Sequence, residues 1–137
     1  MTGRQITILD VTYDAAAPVG QYVACVAGAD GFAALPAGQN APGFLGVSVV
    51  QGSGPAGTSP SRVSLRKLGI VLVVSNGAVN FGDHLIIASA AGDVMSVEAQ
   101  IQAGTNGLLN VIGTAESSAA GPGQLIGMCI SPQVVPA

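Results

Sequence analysis

The chain carries a single histidine, His84, directly after Asp83 in the stretch VNFGDHLIIASAAGDVMSV (79–97). An imidazole beside a carboxylate is raw material for general-base catalysis, in which the ring takes a proton from a nucleophile and an acid orients the ring. The rest of that machinery is not in the sequence. There is no G-x-S-x-G elbow, and the serines fall in loops or alternate along apolar runs. Neighbours on a strand point to opposite faces, so Asp83 is badly placed to orient the ring next to it. The seven acidic residues are scattered singly, without the H-x-H or H-x-x-E spacing of a metal site. No G-x-x-x-x-G-K-[ST] phosphate loop occurs. Asp83 is therefore expected to be a turn acceptor and His84 a half-exposed residue at a strand start. No catalytic, cofactor-binding or metal site is expected, and a small hydrolase or lyase using His84 is the least favoured function.

The elements that position these residues are short β-like runs broken by Gly, Pro, Asn and Asp. Candidate strands are QITILDV (5–11), QYVACVA (21–27), FAAL (32–35), FLGVSVV (44–50), RVSLRKL running into GIVLVVS (62–75), HLIIAS (84–89), DVMSV (93–97), LLNVIGTAE (108–116) and LIGMCIS (125–131). Turn signals separate them: GADG (28–31), SNG (75–77), AAGD (90–93), GTNG (104–107) and AGPG (120–123). Each puts Gly or Asn where a tight reversal needs positive φ. This pattern predicts an all-β fold, a compact sandwich or barrel of short antiparallel strands with Gly-rich turns. Helix is confined to two turns at most, in VEAQIQA (97–103).

The segment QGSGPAGTSPS (51–61) has neither charge nor bulky apolar groups and reads as a flexible surface loop. The expected organisation is a single β domain over 19–137, preceded by an arm or first strand at 1–18. Neither half of the chain looks self-sufficient. There is an internal echo, however: GQYVACVAGADGFAAL from Gly20 resembles GDHLIIASAAGDVMSV from Gly82, and FLGVSV and VIGTAE follow in turn. The echo aligns Asp83 with Gln21 and His84 with Tyr22, so the place held by the Asp–His pair accepts other chemistries, as a turn does.

Composition narrows the partners. Of 137 residues, 49% are hydrophobic and only 8% charged, the latter against about 25% in an average soluble domain. The 20 glycines are roughly twice the usual ~7% share. With a net charge of −3, little repulsion keeps molecules apart, and so bland an exterior is expected to be covered by partners. The four basic residues, Arg4, Arg62, Arg66 and Lys67, are too few to track nucleic-acid phosphates. The amino-terminal MTGRQITILDVTYD lacks the apolar core of a signal peptide, and the longest apolar run, GIVLVV (69–74), is too short to span a membrane. Cys25 and Cys129 lie in apolar runs and read as reduced, buried packing residues. Sugar binding would want exposed aromatics, but most of the five here sit at strand ends where core packing is expected. A lipoyl or biotinyl carrier would want a lysine at a hairpin tip, and Lys67 lies inside a strand-like run.

The run LGIVLVVSNGAVNFGDHLIIASAAGDVMSV, followed by VIGTAESSAAGPGQLIGMCIS, resembles the capsid cement (head decoration) proteins of tailed bacteriophages. The shared features are a strand ending in V-x-x-G-A-V-x-x-G-D, a Gly/Asp hairpin, V-I-G-x-A, and a closing apolar strand after an Ala/Gly loop. The resemblance covers roughly residues 19–131, more loosely in the first half. It implies a β-rich virion protein, assembled in the host cytoplasm, that binds the major capsid protein on the outer surface of the shell as a homotrimer. It also implies stabilisation of the shell, with no enzymatic activity and no cofactor, nucleic acid or membrane. Another phage structural component, a tail or fibre-base β domain, is the alternative. Candidate capsid or subunit contacts are Arg4, Ile6, Ile8, Leu9 and Val11 of the arm, together with Arg62, Arg66 and Lys67. The arm either adds a strand to a neighbour or is the first strand of its own sheet. The basic cluster either meets an acidic capsid surface or is a solvated strand face.

Overall fold

The chain turns from one ring of strands into a second at a single residue, Gly69, which separates Ser61–Leu68 from Ile70–Asn76 and sits at φ +100°. The computed structural model describes residues 8–15, 19–49, 61–100 and 108–136. Arg4, Ile6 and residues 51–60 of the predicted loop lie outside the described residues. The first ring holds β1 (Leu9–Ala15), β2 (Ala24–Ala27), β3 (Ala33–Ala34), β4 (Phe44–Ser48) and β5 (Ser61–Leu68), in the order β1-β3-β2-β4-β5, closing back on β1. The second holds β6 (Ile70–Asn76), β7 (His84–Ile87), β8 (Val94–Ser96), β9 (Leu108–Ala115) and β10 (Pro122–Pro136), in the order β6-β8-β7-β9-β10, closing on β6. Among the described residues helix is limited to a 3-10 turn at Ala29–Gly31 and α1 at Val97–Gln100. The fold is all-β, as the turn spacing predicts.

Relabelling β1–β5 as β6–β10 turns the first strand order into the second. Among the described residues the one parallel contact of each ring also matches: Ala15 opposite Ala33 in β1/β3, Ser75 opposite Val94 in β6/β8. Residue-level register agrees. Cys25 faces Gly46 across β2/β4 and Leu85 faces Gly113 across β7/β9, each just before an irregularity in the ladder. A Cβ on Gly46 would lie 2.8 Å from the Arg66 carbonyl oxygen, and one on Gly113 would lie 2.5 Å from that of Cys129. Both glycines are there because another strand's backbone passes too close for any side chain. The sequence echo is thus a repeated fold, with FLGVSV and VIGTAE in equivalent places. Its alignment shifts by two residues in the hairpin: Ala24, not Tyr22, is the counterpart of His84. The β7–β8 connection is one residue longer than β2–β3, so an ungapped sequence match cannot be in register on both strands of the hairpin.

Other departures have local causes. The run expected as one strand over 62–75 is two strands in different rings, because Gly69 adopts a backbone that L side chains rarely take. The closing strand extends to Pro136, beyond the expected Ser131; Pro132 falls where the β9/β10 register shifts, so its missing N–H breaks no ladder bond. Cys129 is only half-buried, since it lies on the outward parity of β10, while Cys25 is buried; both are free thiols. Burial pushes the Cys25 thiol up to about 12, because the thiolate would lose its hydration there.

The largest core cluster draws on both rings, packing Val26 and Val47 with Val73, Leu85, Ile112 and Met128. Smaller clusters fill each ring separately, around Val63 and Leu65 in the first and Ile86 and Val111 in the second. Backbone bonds also cross between the rings: Ala24 N–H donates to Gly92 O at 2.9 Å and Asn40 N–H to Ile87 O at 2.8 Å.

Candidate interaction surface

The Asp83–His84 corner starts β7. Asp83 Oδ2 accepts from the Asn80 N–H at 2.9 Å, closing the turn before the strand, and from the buried Ser96 hydroxyl at 2.6 Å. His84 is exposed and bonds to a different carboxylate. Its Nδ1 lies 2.6 Å from Glu98 Oε1, and its backbone N–H donates to Glu98 Oε2 at 3.0 Å. Glu98 belongs to α1, brought back beside β7 by the β7–β8 hairpin. The carboxylate that meets the ring is thus fourteen residues away, where inspection of neighbours could not find it. The Asp83 carboxylate serves the turn and Glu98 ties α1 to the strand start. Among the described residues no three His, Cys, Asp or Glu side chains gather as a metal site would require, and no helix is long and apolar enough to cross a membrane.

Most of the described contact candidates fall on β1 and β5, which run antiparallel with Asp10 opposite Arg66 and Asp14 opposite Arg62. On the inward parity, Val11 and Tyr13 are half-buried and Ala15 fully buried; Ile8 and Leu9, at the open end, are exposed. The outward parity is polar from Asp10 to Asp14 and from Arg62 to Arg66, with the exposed Ile8 and Leu68 beyond it at the open end. Arg66 grips Asp10 with two bonds, Nε to Oδ1 at 2.9 Å and Nη2 to Oδ2 at 3.2 Å, and Nη1 reaches the Ile70 carbonyl at 3.0 Å. The Thr12 and Ser64 hydroxyls are 3.2 Å apart, and Arg62 Nε lies 3.7 Å from Asp14 Oδ1. Hydrogen bonding to Arg66 holds the Asp10 carboxyl below its ordinary range and raises the guanidinium in turn. Lys67 donates to the Tyr13 hydroxyl at 2.7 Å and stands 5.2 Å from the centre of its ring. Arg62, Arg66 and Lys67 therefore meet partners within their own sheet.

A different surface was missed. On β6 and β10 the outward residues Ile70, Leu72 and Leu125 are 38%, 43% and 50% exposed, although all are aliphatic. The signal was present: GIVLVV and LIGMCI are apolar at both parities, which marks strands covered on both faces. Phe81 is 69% exposed on the turn before β7, where its N–H donates to the Ser118 hydroxyl. An open groove of about 240 Å³ lies at the seam of the rings, between Phe44 of β4, Asn110–Ile112 of β9 and Pro132–Val134 of β10.

No family model matches the chain, and no curated protein matches it. Among solved structures it is similar to the head fiber gp8.5 N base of bacteriophage phi29, with a TM-score of 0.58 and 20% identity over 91% of this chain and 95% of that one. At that identity the likeness establishes a shared fold, and it takes in both rings.

Proposed function

We propose that this chain is a structural protein of a phage virion, held on the outer surface of the head as a trimer. The observation that carries the proposal is the fold shared, nearly end to end, with a protein described as the base of a phage head fiber. The sequence resemblance to head decoration proteins independently supports a structural role on a phage head. Physical chemistry supports a many-copy binding role. Three weak footholds on a repeating shell act as one firm attachment, because the second and third form at high effective concentration. Sparse charge limits the desolvation needed when subunits and shell fit closely. The Asp83–His84 corner, whose groups serve a turn and a strand start, fits a protein without catalytic work.

Two roles fit that location. The sequence resemblance supports a cement protein that stabilises the shell; the shared fold supports the base of a fibre. Light scattering on the purified protein should give a trimer, and the protein should co-sediment with bare heads of its own phage. A cement protein should also raise the temperature at which those heads rupture, and a fibre base should bind without that shift. A monomer at all concentrations that leaves heads bare would overturn the proposal.

A further inference from the structure

The repeated fold puts two faces in equivalent positions and gives them opposite chemistry. Val47 faces Arg66 across β4/β5 and Thr114 faces Cys129 across β9/β10, so Arg66 and Cys129 are counterparts. The outward pairs Asp10–Arg66, Thr12–Ser64 and Asp14–Arg62 of β1/β5 then correspond to Ile70–Cys129, Leu72–Gly127 and Val74–Leu125 of β6/β10. The first ring closes with a ladder of ion pairs and hydroxyls on this face. The architecture therefore does not require the face to be apolar, yet in the second ring all six positions lack charge.

We propose that the outward face of β6 and β10 packs against the same face of other copies of this chain and forms the apolar centre of the trimer contact. This rests on the trimeric reading above. The six positions, four aliphatic side chains, a glycine and a half-buried thiol, carry no charge of their own, and polar groups enter only at the border, where Glu116 and Ser117 lie beside Gly127. The complement of such a face is another surface of the same kind. Interfaces of permanent homo-oligomers have that character, whereas contacts between separately folded partners are about as polar as ordinary surface. Ile70, Leu72 and Leu125 together expose less than one partner contributes to a standard interface, which suits the apolar centre of a contact with a more polar rim. Its relief is also uneven. Leu72 stands across the ladder from Gly127, which has no side chain to match it and where a Cβ would make ordinary contacts at 3.5–4.0 Å with Glu116, Ile70 and Ser117, so the leucine rises above its neighbour.

The first ring supplies the test, because its residues already occupy the equivalent positions in a folded sheet. The triple variant Leu72→Thr, Val74→Asp, Leu125→Arg copies Thr12, Asp14 and Arg62 onto β6/β10. Light scattering across a concentration series should find wild-type trimer and a variant whose self-association is at least about tenfold weaker, with an unchanged β-type circular dichroism spectrum. A wild-type trimer with an equally trimeric variant overturns the proposal and leaves the trimeric reading standing. A trimeric variant that no longer binds heads assigns the face to the capsid and overturns it too. A wild type that is monomeric throughout sinks the trimeric reading itself. Should the triple variant fail to fold, Cys129 reports on the wild type, since Cys25 is buried. Its alkylation should accelerate as dilution dissociates the trimer, and a rate unchanged by dissociation overturns the proposal.

Discussion

Asn40 and Asn110, seventy residues apart, clasp each other across the seam between the two rings. Asn40 Oδ1 accepts from the Asn110 N–H at 2.8 Å, Asn40 Nδ2 donates to Leu108 O at 2.8 Å, and Asn110 Nδ2 donates to Asn40 O at 2.9 Å. The Asn40 amide thus pairs with β9 as a strand's peptide group would, covering the part of that strand that β7 no longer reaches. Asn40 sits at φ +59°, a conformation that asparagine tolerates better than most residues.

Asn40→Gly keeps that backbone and removes the amide, leaving the Asn110 N–H and the Leu108 carbonyl without their partner. Both groups are partly open to water, so urea denaturation should show a loss of about 0.5–1.5 kcal/mol. Asn40→Ala should lose more, because the left-handed backbone disfavours a Cβ. A glycine variant within about 0.5 kcal/mol of wild type would mean that the clasp contributes little.

Gly46→Ala and Gly113→Ala should each destabilise by about 1–3 kcal/mol, the range for overpacking, with Gly113→Ala the worse. The order follows from the closer approach at Gly113, 2.5 Å against 2.8 Å to a backbone oxygen that cannot swing aside. Thermal unfolding of the two single variants checks both the size and the order; an unperturbed Gly113→Ala protein would contradict the repeat register.

The Asp10–Arg66 pair should leave a pH signature. The Asp10 carboxyl is lowered in the folded protein, so its contribution is fully present above the ordinary carboxylate pKa, near pH 4, and fades as acid protonates it below that. The pair is partly exposed, so Asp10→Asn should cost only about 0.2–1 kcal/mol at pH 7. That difference should shrink as pH falls from about 4 to 2. A gap that stays constant over the same interval would show that the charge is not what the variant removes.

His84→Ala should shift stability by less than about 1 kcal/mol, as surface changes usually do, and leave head binding intact. The lost contact is an exposed imidazole–carboxylate pair at a strand start. Loss of head binding in a folded His84→Ala protein would place the ring at a working contact and reverse the structural interpretation.

Features set within a few residues were legible in the sequence. Alternation and Gly/Asn turns located most strands, the apolar strand start after Asp83 placed His84, and the matching FLGVSV and VIGTAE segments marked the repeat. Those signals are local because backbone pleat and turn geometry act over two to five residues. Ring closure, the parallel β1/β3 and β6/β8 contacts and the change of ring at Gly69 needed the folded chain. So did the pairing of His84 with Glu98 and the Asn40–Asn110 clasp. Each joins groups that tertiary packing alone brings within hydrogen-bonding reach, and no spacing along the chain encodes it. The apolar outer face of β6/β10 stands between the two. Its unbroken apolar runs were visible as letters, but only the register against β1 and β5 shows that the fold could have made that face polar.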